Sequence, residues 1–133
     1  RILLLNDADG KFTLPAINVN ADSAVAGPGS DPNNLNNIGA SFYFYIETAA
    51  TDLDIKTDGT DKFTGAVMLA VDDGAKKAFV PAAANDVMTF DGGTAGGLAG
   101  SVVQVTAVDA NNYLVHNSLV IATGTIVTPF ANA

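Results

Sequence analysis

Glutamate is nearly absent from this chain, and that limits its fold more than any other feature. Of fourteen acidic residues only Glu47 is a glutamate, and just six Lys and Arg oppose them. Glu, Lys and Arg coat the solvent side of helices, whereas Asp and Asn favour turns and disfavour the interiors of helices and strands. Hydrophobic residues make up 48% of the 133 and charged ones 15%, against a usual charged share of about 25%. This composition argues strongly against an α-helical bundle. An all-β fold is expected.

The same numbers narrow the partners. A net charge of −8, with no basic run longer than Lys76-Lys77, argues against nucleic acid and anionic membrane surfaces, because neutralising phosphates needs grouped Lys and Arg. No apolar stretch approaches the roughly 18 residues that span a bilayer, and the Ile2–Leu5 run is too brief for a signal peptide. The chain has no cysteine, so disulfide and thiolate chemistry are absent. Its length fits one domain with a real core.

From residue 41 onward, strands and turns alternate. The aromatic segment Ser41-Phe42-Tyr43-Phe44-Tyr45-Ile46-Glu47 predicts a strand with two aromatics inward and two outward. Further strands are expected at Leu53–Lys56, Phe63–Val71, Lys77–Val80, Val87–Phe90, Ser101–Val108 and Tyr113–His116. Asn117-Ser118 reads as a break before Leu119–Ala122, an apolar run suited to a strand buried on both faces. Four Asp-Gly pairs (9–10, 58–59, 73–74 and 91–92) read as turns of antiparallel hairpins. Strand spacing of about 8–12 residues predicts an antiparallel β-sandwich or barrel-like domain over 41–133. Residues 1–40 differ, with a long polar stretch from Asn18 to Asn37 rich in Gly, Pro and Asn. Stretches of that length are functional or mobile in compact domains, so 1–40 is expected to be an extended amino-terminal arm and polar loop.

Motifs that carry chemistry are sparse. His116 is the sole histidine, and neither Ser101 nor Ser118 has the flanking glycines of a nucleophile elbow. Zinc is disfavoured with one His and no Cys. Asp7-x-Asp9-Gly10 resembles part of a calcium loop but lacks the remaining oxygen ligands, which leaves Asp7 and Asp9 as weak calcium candidates. The glycine-rich Asp91–Gly100 segment lacks the Gly-Lys-Ser/Thr of a phosphate loop, and reads as a flexible connection where another backbone comes close. No enzyme activity and no cofactor are expected. Contact with other proteins is expected through Ile2, Leu3, Leu4, Phe12 and Leu14 of the arm and the outward Tyr43 and Tyr45. A glycan- or surface-binding module of a phage fibre or bacterial surface, stacking sugars on those tyrosines, is the alternative.

Four segments of the carboxyl-terminal half carry a resemblance. They are Pro81-Ala82-Ala83-Ala84-Asn85-Asp86-Val87-Met88-Thr89-Phe90-Asp91-Gly92, then Thr94-Ala95-Gly96-Gly97-Leu98-Ala99-Gly100, Asn112-Tyr113-Leu114-Val115, and Ala122-Thr123-Gly124-Thr125 with Thr128-Pro129-Phe130. Together, over about residues 79–130, they resemble a small β-module in virion proteins of tailed bacteriophages, namely head decoration (cement) and related capsid-surface proteins. The family pattern often has a tryptophan where Tyr113 stands, and this chain has none. The resemblance implies a structural protein on the outer capsid surface, usually a homotrimer, that clamps the major capsid protein and stabilises the shell. It brings no catalytic residues.

Overall fold

A computed structural model describes residues 2–19 and 37–133. The described chain is all-β, with no helix. Its eleven strands are β1 (Ile2–Leu5), β2 (Lys11–Thr13), β3 (Ser41–Ile46), β4 (Leu53–Lys56), β5 (Lys62–Gly65), β6 (Val67–Ala70), β7 (Lys76–Phe79), β8 (Val87–Phe90), β9 (Val102–Ala107), β10 (Asn112–Ile121) and β11 (Phe130–Ala131). Seven form one sheet in the order β1-β3-β9-β10-β6-β7, with β5 also on β10, and four form the other in the order β11-β8-β4-β2. Period-two alternation drives the packing. Phe44, Ile46, Val103, Val105, Tyr113 and Val115 of the larger sheet meet Leu53, Ile55, Met88 and Phe90 of the smaller one in a single core.

The expected antiparallel sandwich is corrected to a mixed one. Pairs β1/β3, β2/β4, β5/β10 and β6/β10 are parallel. The reason lies in the Asp-Gly turns. Only Asp73-Gly74 closes a hairpin, between β6 and β7. The other three join strands of different sheets. A chain that changes sheet at a turn can return in either direction, so parallel neighbours follow.

The break expected at Asn117-Ser118 is a bulge inside one long strand. Asn117 adopts φ 45°, and the β9/β10 register shifts between His116 and Leu119. On the other side of β10 the chain bends at the same level, passing from β5 to β6 through Gly65 and Ala66. The Ser118 hydroxyl accepts the Met68 N–H at 3.0 Å across the bulge. Beyond it Val120 is buried while Leu119 and Ile121 are 52% and 36% exposed. The Leu119–Ala122 run is therefore not buried on both faces, because alternation resumes past the bulge with its parity reversed.

The amino-terminal segment also departs from expectation. Instead of standing off as an arm, residues 2–5 and 11–13 are strands of the two sheets. Leu14 is 1% exposed and belongs to the core. Its N–H donates to the Lys56 carbonyl at 2.7 Å. The buried Tyr113 hydroxyl donates to the Pro15 carbonyl at 2.7 Å, and the Ile17 N–H donates to the Asp61 carboxylate at 2.7 Å. Asn18 and Asn37 close the segment by mutual bonds, N–H to side-chain oxygen at 2.8 Å and N–H to carbonyl at 3.0 Å. The polar loop expected between them falls mostly on residues 20–36, which lie outside the described residues.

Candidate functional site

Cross-strand register assembles one surface that the sequence does not show as a unit. On the outer face of the larger sheet, Leu4 lies opposite Tyr45, Tyr45 opposite Val102, and Val102 opposite Leu119. Directly opposed residues point to the same face, so these four form an apolar row across β1, β3, β9 and β10. The neighbouring row is Ile2, Tyr43, Gln104 and His116. Ile2 and Leu4 are 56% and 61% exposed, while Tyr43, Tyr45 and Val102 are half-buried. No Asp, Glu, Lys or Arg lies among these eight residues, in a chain of net charge −8.

Polar groups on this face are bonded to one another. Asn117 donates to the Gln104 carbonyl oxygen at 2.8 Å, and the Gln104 amide donates to the Ser41 hydroxyl at 2.5 Å. Thr106 lies 3.0 Å from the Ser41 hydroxyl and 2.8 Å from His116 Nε2. Covering these groups would strand fewer donors and acceptors, each of which costs about 1–3 kcal/mol when left unmade. At the Leu119 end the face opens into a groove of ≈ 410 Å³ whose lining includes Ala70, Val71, Asp72, Leu98, Leu119 and Ile121.

The residues expected at an interface divide into two sets. Ile2, Leu4, Tyr43 and Tyr45 come together on the outer face through the β1/β3 register; alternation in the aromatic strand by itself points only the two tyrosines outward. Leu3, Phe12 and Leu14 turn inward. Leu14 is core, Leu3 packs against the core, and the Phe12 ring meets Phe44 edge-on at 4.9 Å. Val102 and Leu119 were missed, because only strand register places them in line with Tyr45. Asp7 and Asp9 sit exposed in the β1–β2 connection, and among the described residues no group of three or more His, Cys, Asp or Glu could hold a metal ion. The buried Ser101 hydroxyl donates to the Leu98 carbonyl at 2.6 Å and accepts the Ile121 N–H at 2.9 Å. These bonds tie the 98–101 turn to the end of β10.

The eight residues of the two rows are uncharged, although Asp72 lines the adjoining groove and Lys76 lies opposite Ala70 farther along the sheet; elsewhere charge is partly paired, Lys11 with Asp54 and Lys62 with Asp86. Burial pushes Asp54 up, but bonds from Lys11 at 2.7 Å and Thr89 at 2.7 Å outweigh it and hold the carboxyl below the ordinary 3.8. Asp86 is likewise raised by burial and more than compensated by Lys62 at 2.9 Å and the Ala133 N–H at 2.7 Å. Asp61 goes the other way. Burial raises it, the Ile17 N–H offsets only part, and Asp58 and Asp109 repel the charged form. Burial, with the charges of Asp61 and Asp58, pushes the Tyr113 phenol up to about 12, so it stays a donor to Pro15 at any ordinary pH.

These shifts fix the sign of the acid response. The contributions of Asp54 and Asp86 are present above 3.8 and lost as pH falls through their lowered values; that of Asp61 is present below 3.8 and lost as pH rises through its raised value. Asp109 is lowered as well, by the Asn111 N–H and the Asn112 amide, so three lowered carboxylates stand against one raised. The urea midpoint is expected to be lower at about pH 2.5 than at about pH 6, and Lys62→Met should shrink that difference by returning Asp86 toward its unfolded behaviour. An unchanged difference in the variant would show that the Lys62–Asp86 pair is not its source.

No family model matches the chain, and no curated protein and no solved structure matches it.

Proposed function

We propose that this is a non-enzymatic structural protein that works by covering its outer sheet face with a neighbouring protein, and specifically a decoration protein that stabilises the outer surface of a tailed-phage capsid. The observation that carries the reading is the face itself. A −8 chain spreads aspartates through its turns and yet keeps a row of Leu4, Tyr45, Val102 and Leu119 free of charge. Interface cores are depleted in charged residues and enriched in tyrosine in the same way. The resemblance of residues 79–130 to virion β-modules supplies the class of partner, the major capsid protein or another copy of this chain. Binding that occurs only on the assembled shell stabilises it by mass action.

The test uses shells stripped of this protein. Wild type is expected to bind them and raise the temperature at which they rupture. Tyr45→Asp would place an uncompensated charge in the middle of the row, with binding expected to fall at least about tenfold. Wild-type binding that Tyr45→Asp leaves intact would contradict the assignment to this face.

A further inference from the structure

We infer that Asp9-Gly10 is a modification site, where the chain isomerises spontaneously to isoaspartate while the other three Asp-Gly pairs are held against it. The inference is independent of what covers the outer face. Asp-Gly is prone to this reaction because glycine has no Cβ to hinder the approach of its nitrogen to the preceding carboxyl. Asp9, Asp58, Asp73 and Asp91 are all exposed, so exposure does not separate them. Their hydrogen bonds do.

The reaction joins a carboxyl to the next residue's nitrogen, and in three pairs both groups are engaged. Asp58 Oδ1 accepts the N–H of Thr60 at 2.9 Å and of Asp61 at 3.0 Å, while the Gly59 N–H donates to the Thr57 hydroxyl at 3.0 Å. Asp73 Oδ1 accepts the Ala75 N–H at 2.8 Å, and the Gly74 N–H donates to the Val71 carbonyl at 3.1 Å. Asp91 Oδ1 accepts the N–H of Gly93 at 2.7 Å and of Ala95 at 2.9 Å, and the Gly92 N–H donates to the Gly96 carbonyl at 2.8 Å. In each, the aspartate caps its own turn. Asp9 differs on both counts. Its carboxylate has no hydrogen bond or ion pair among the described residues, and the Gly10 N–H makes only a long bond of 3.4 Å to the Asp7 carbonyl.

The chemistry needs no cofactor. The Gly10 nitrogen attacks Asp9 Cγ, the new C–N bond closes a succinimide ring, and a carboxyl oxygen leaves as water with the amide proton. One water then opens the ring at the Asp9 main-chain carbonyl, so that the chain runs on through Cβ. Composition and oxidation state are unchanged. In the other pairs a charge-assisted bond to the carboxylate has to break before the ring closes, which slows them at least about tenfold. The connection at Asp9 joins β1 of one sheet to β2 of the other. The Ala8 carbonyl accepts the Thr51 N–H at 2.7 Å and the Gly10 carbonyl accepts the Asp54 N–H at 2.9 Å. An extra main-chain atom between two anchored carbonyls strains both bonds.

The experiment ages the purified full chain at mildly acidic pH and digests it with trypsin, which puts each pair in its own peptide: 2–11, 57–62, 63–76 and 78–133. Isoaspartate is located by electron-transfer fragmentation and counted by methyl transfer from S-adenosylmethionine with an isoaspartyl methyltransferase. The folded chain is expected to accumulate it at Asp9 at least about tenfold faster than at any other pair. In urea above the unfolding transition the four pairs should react at similar rates, since the bonds that separate them are gone. Asp9→Glu should bring peptide 2–11 down to the level of the others, because the longer side chain closes a larger ring. After equal ageing, that variant should keep a higher urea midpoint than wild type. Equal rates in the folded chain, a faster rate at another pair, or the same bias in urea would overturn the inference. Matching midpoints despite isoaspartate at position 9 would overturn the strain assigned to the Ala8 and Gly10 carbonyls.

Discussion

Gly92→Ala is expected to lower the unfolding free energy by about 2–5 kcal/mol, combining a left-handed backbone penalty of about 1–2 with an overpacking cost of about 1–3. Gly92 has φ 70°, and a Cβ there would sit 2.1 Å from the Ala50 carbonyl oxygen. That oxygen belongs to backbone that Gly97 holds, through the Ala50 N–H to Gly97 carbonyl bond at 2.8 Å. The clash cannot be relieved by turning a side chain. Gly59 supplies the control, with φ 97° and nothing within 4 Å of its Cβ position. Gly59→Ala should therefore lose only the backbone part, about 1–2 kcal/mol. Urea unfolding of the two variants side by side checks the pair. Equal losses would mean that the close approach at Ala50 yields easily.

The second large effect concerns Leu14. Truncation to alanine is expected to destabilise by about 2–5 kcal/mol, the range for a fully buried leucine. Leu14 is 1% exposed in the core, and the backbone on either side is tied to Lys56, Tyr113 and Asp61. Collapse of the site around the missing methyls is therefore restricted. Deleting residues 1–14 should go further and prevent cooperative folding, since β1 and β2 supply an edge to each sheet. A deletion variant with the wild-type urea midpoint would restore the reading of this segment as a separable arm.

The sequence made the strands legible and their partners obscure, for a physical reason. In β3, β4, β8 and β9 inward apolar residues alternate with outward ones, and that pattern is local. Where a strand pairs is decided by burial between residues distant in the chain. An Asp-Gly turn states that the chain bends, not whether it returns beside itself or crosses to the other sheet. The amino-terminal strands were hidden by shortness: Lys11–Thr13 offers a single inward residue, Phe12, and the polar stretch after Leu14 and Pro15 suggested an arm. The glycine segment was half legible. Close backbone approach was expected and is realised at Gly92, but Ala95, Gly96 and Gly97 are buried, so the connection is packed rather than flexible.

The outer face follows the same division. Tyr43 and Tyr45 could be assigned outward from alternation alone, and Ile2 and Leu4 from their apolar exposure once β1 pairs with β3. Val102 and Leu119 join them only through two further registers, and the bulge at Asn117 is what returns Leu119 to that face. Tyr113 carried no sequence signal for its role as the anchor of Pro15, a contact between residues 98 apart.

Quantitative mass spectrometry of purified virions tests the central claim most directly. The account predicts this chain in virions at a copy number that is a simple multiple of the shell symmetry, and its loss from particles carrying Tyr45→Asp. Absence of the chain from complete virions, or retention of the Tyr45→Asp variant at the wild-type copy number, would contradict it.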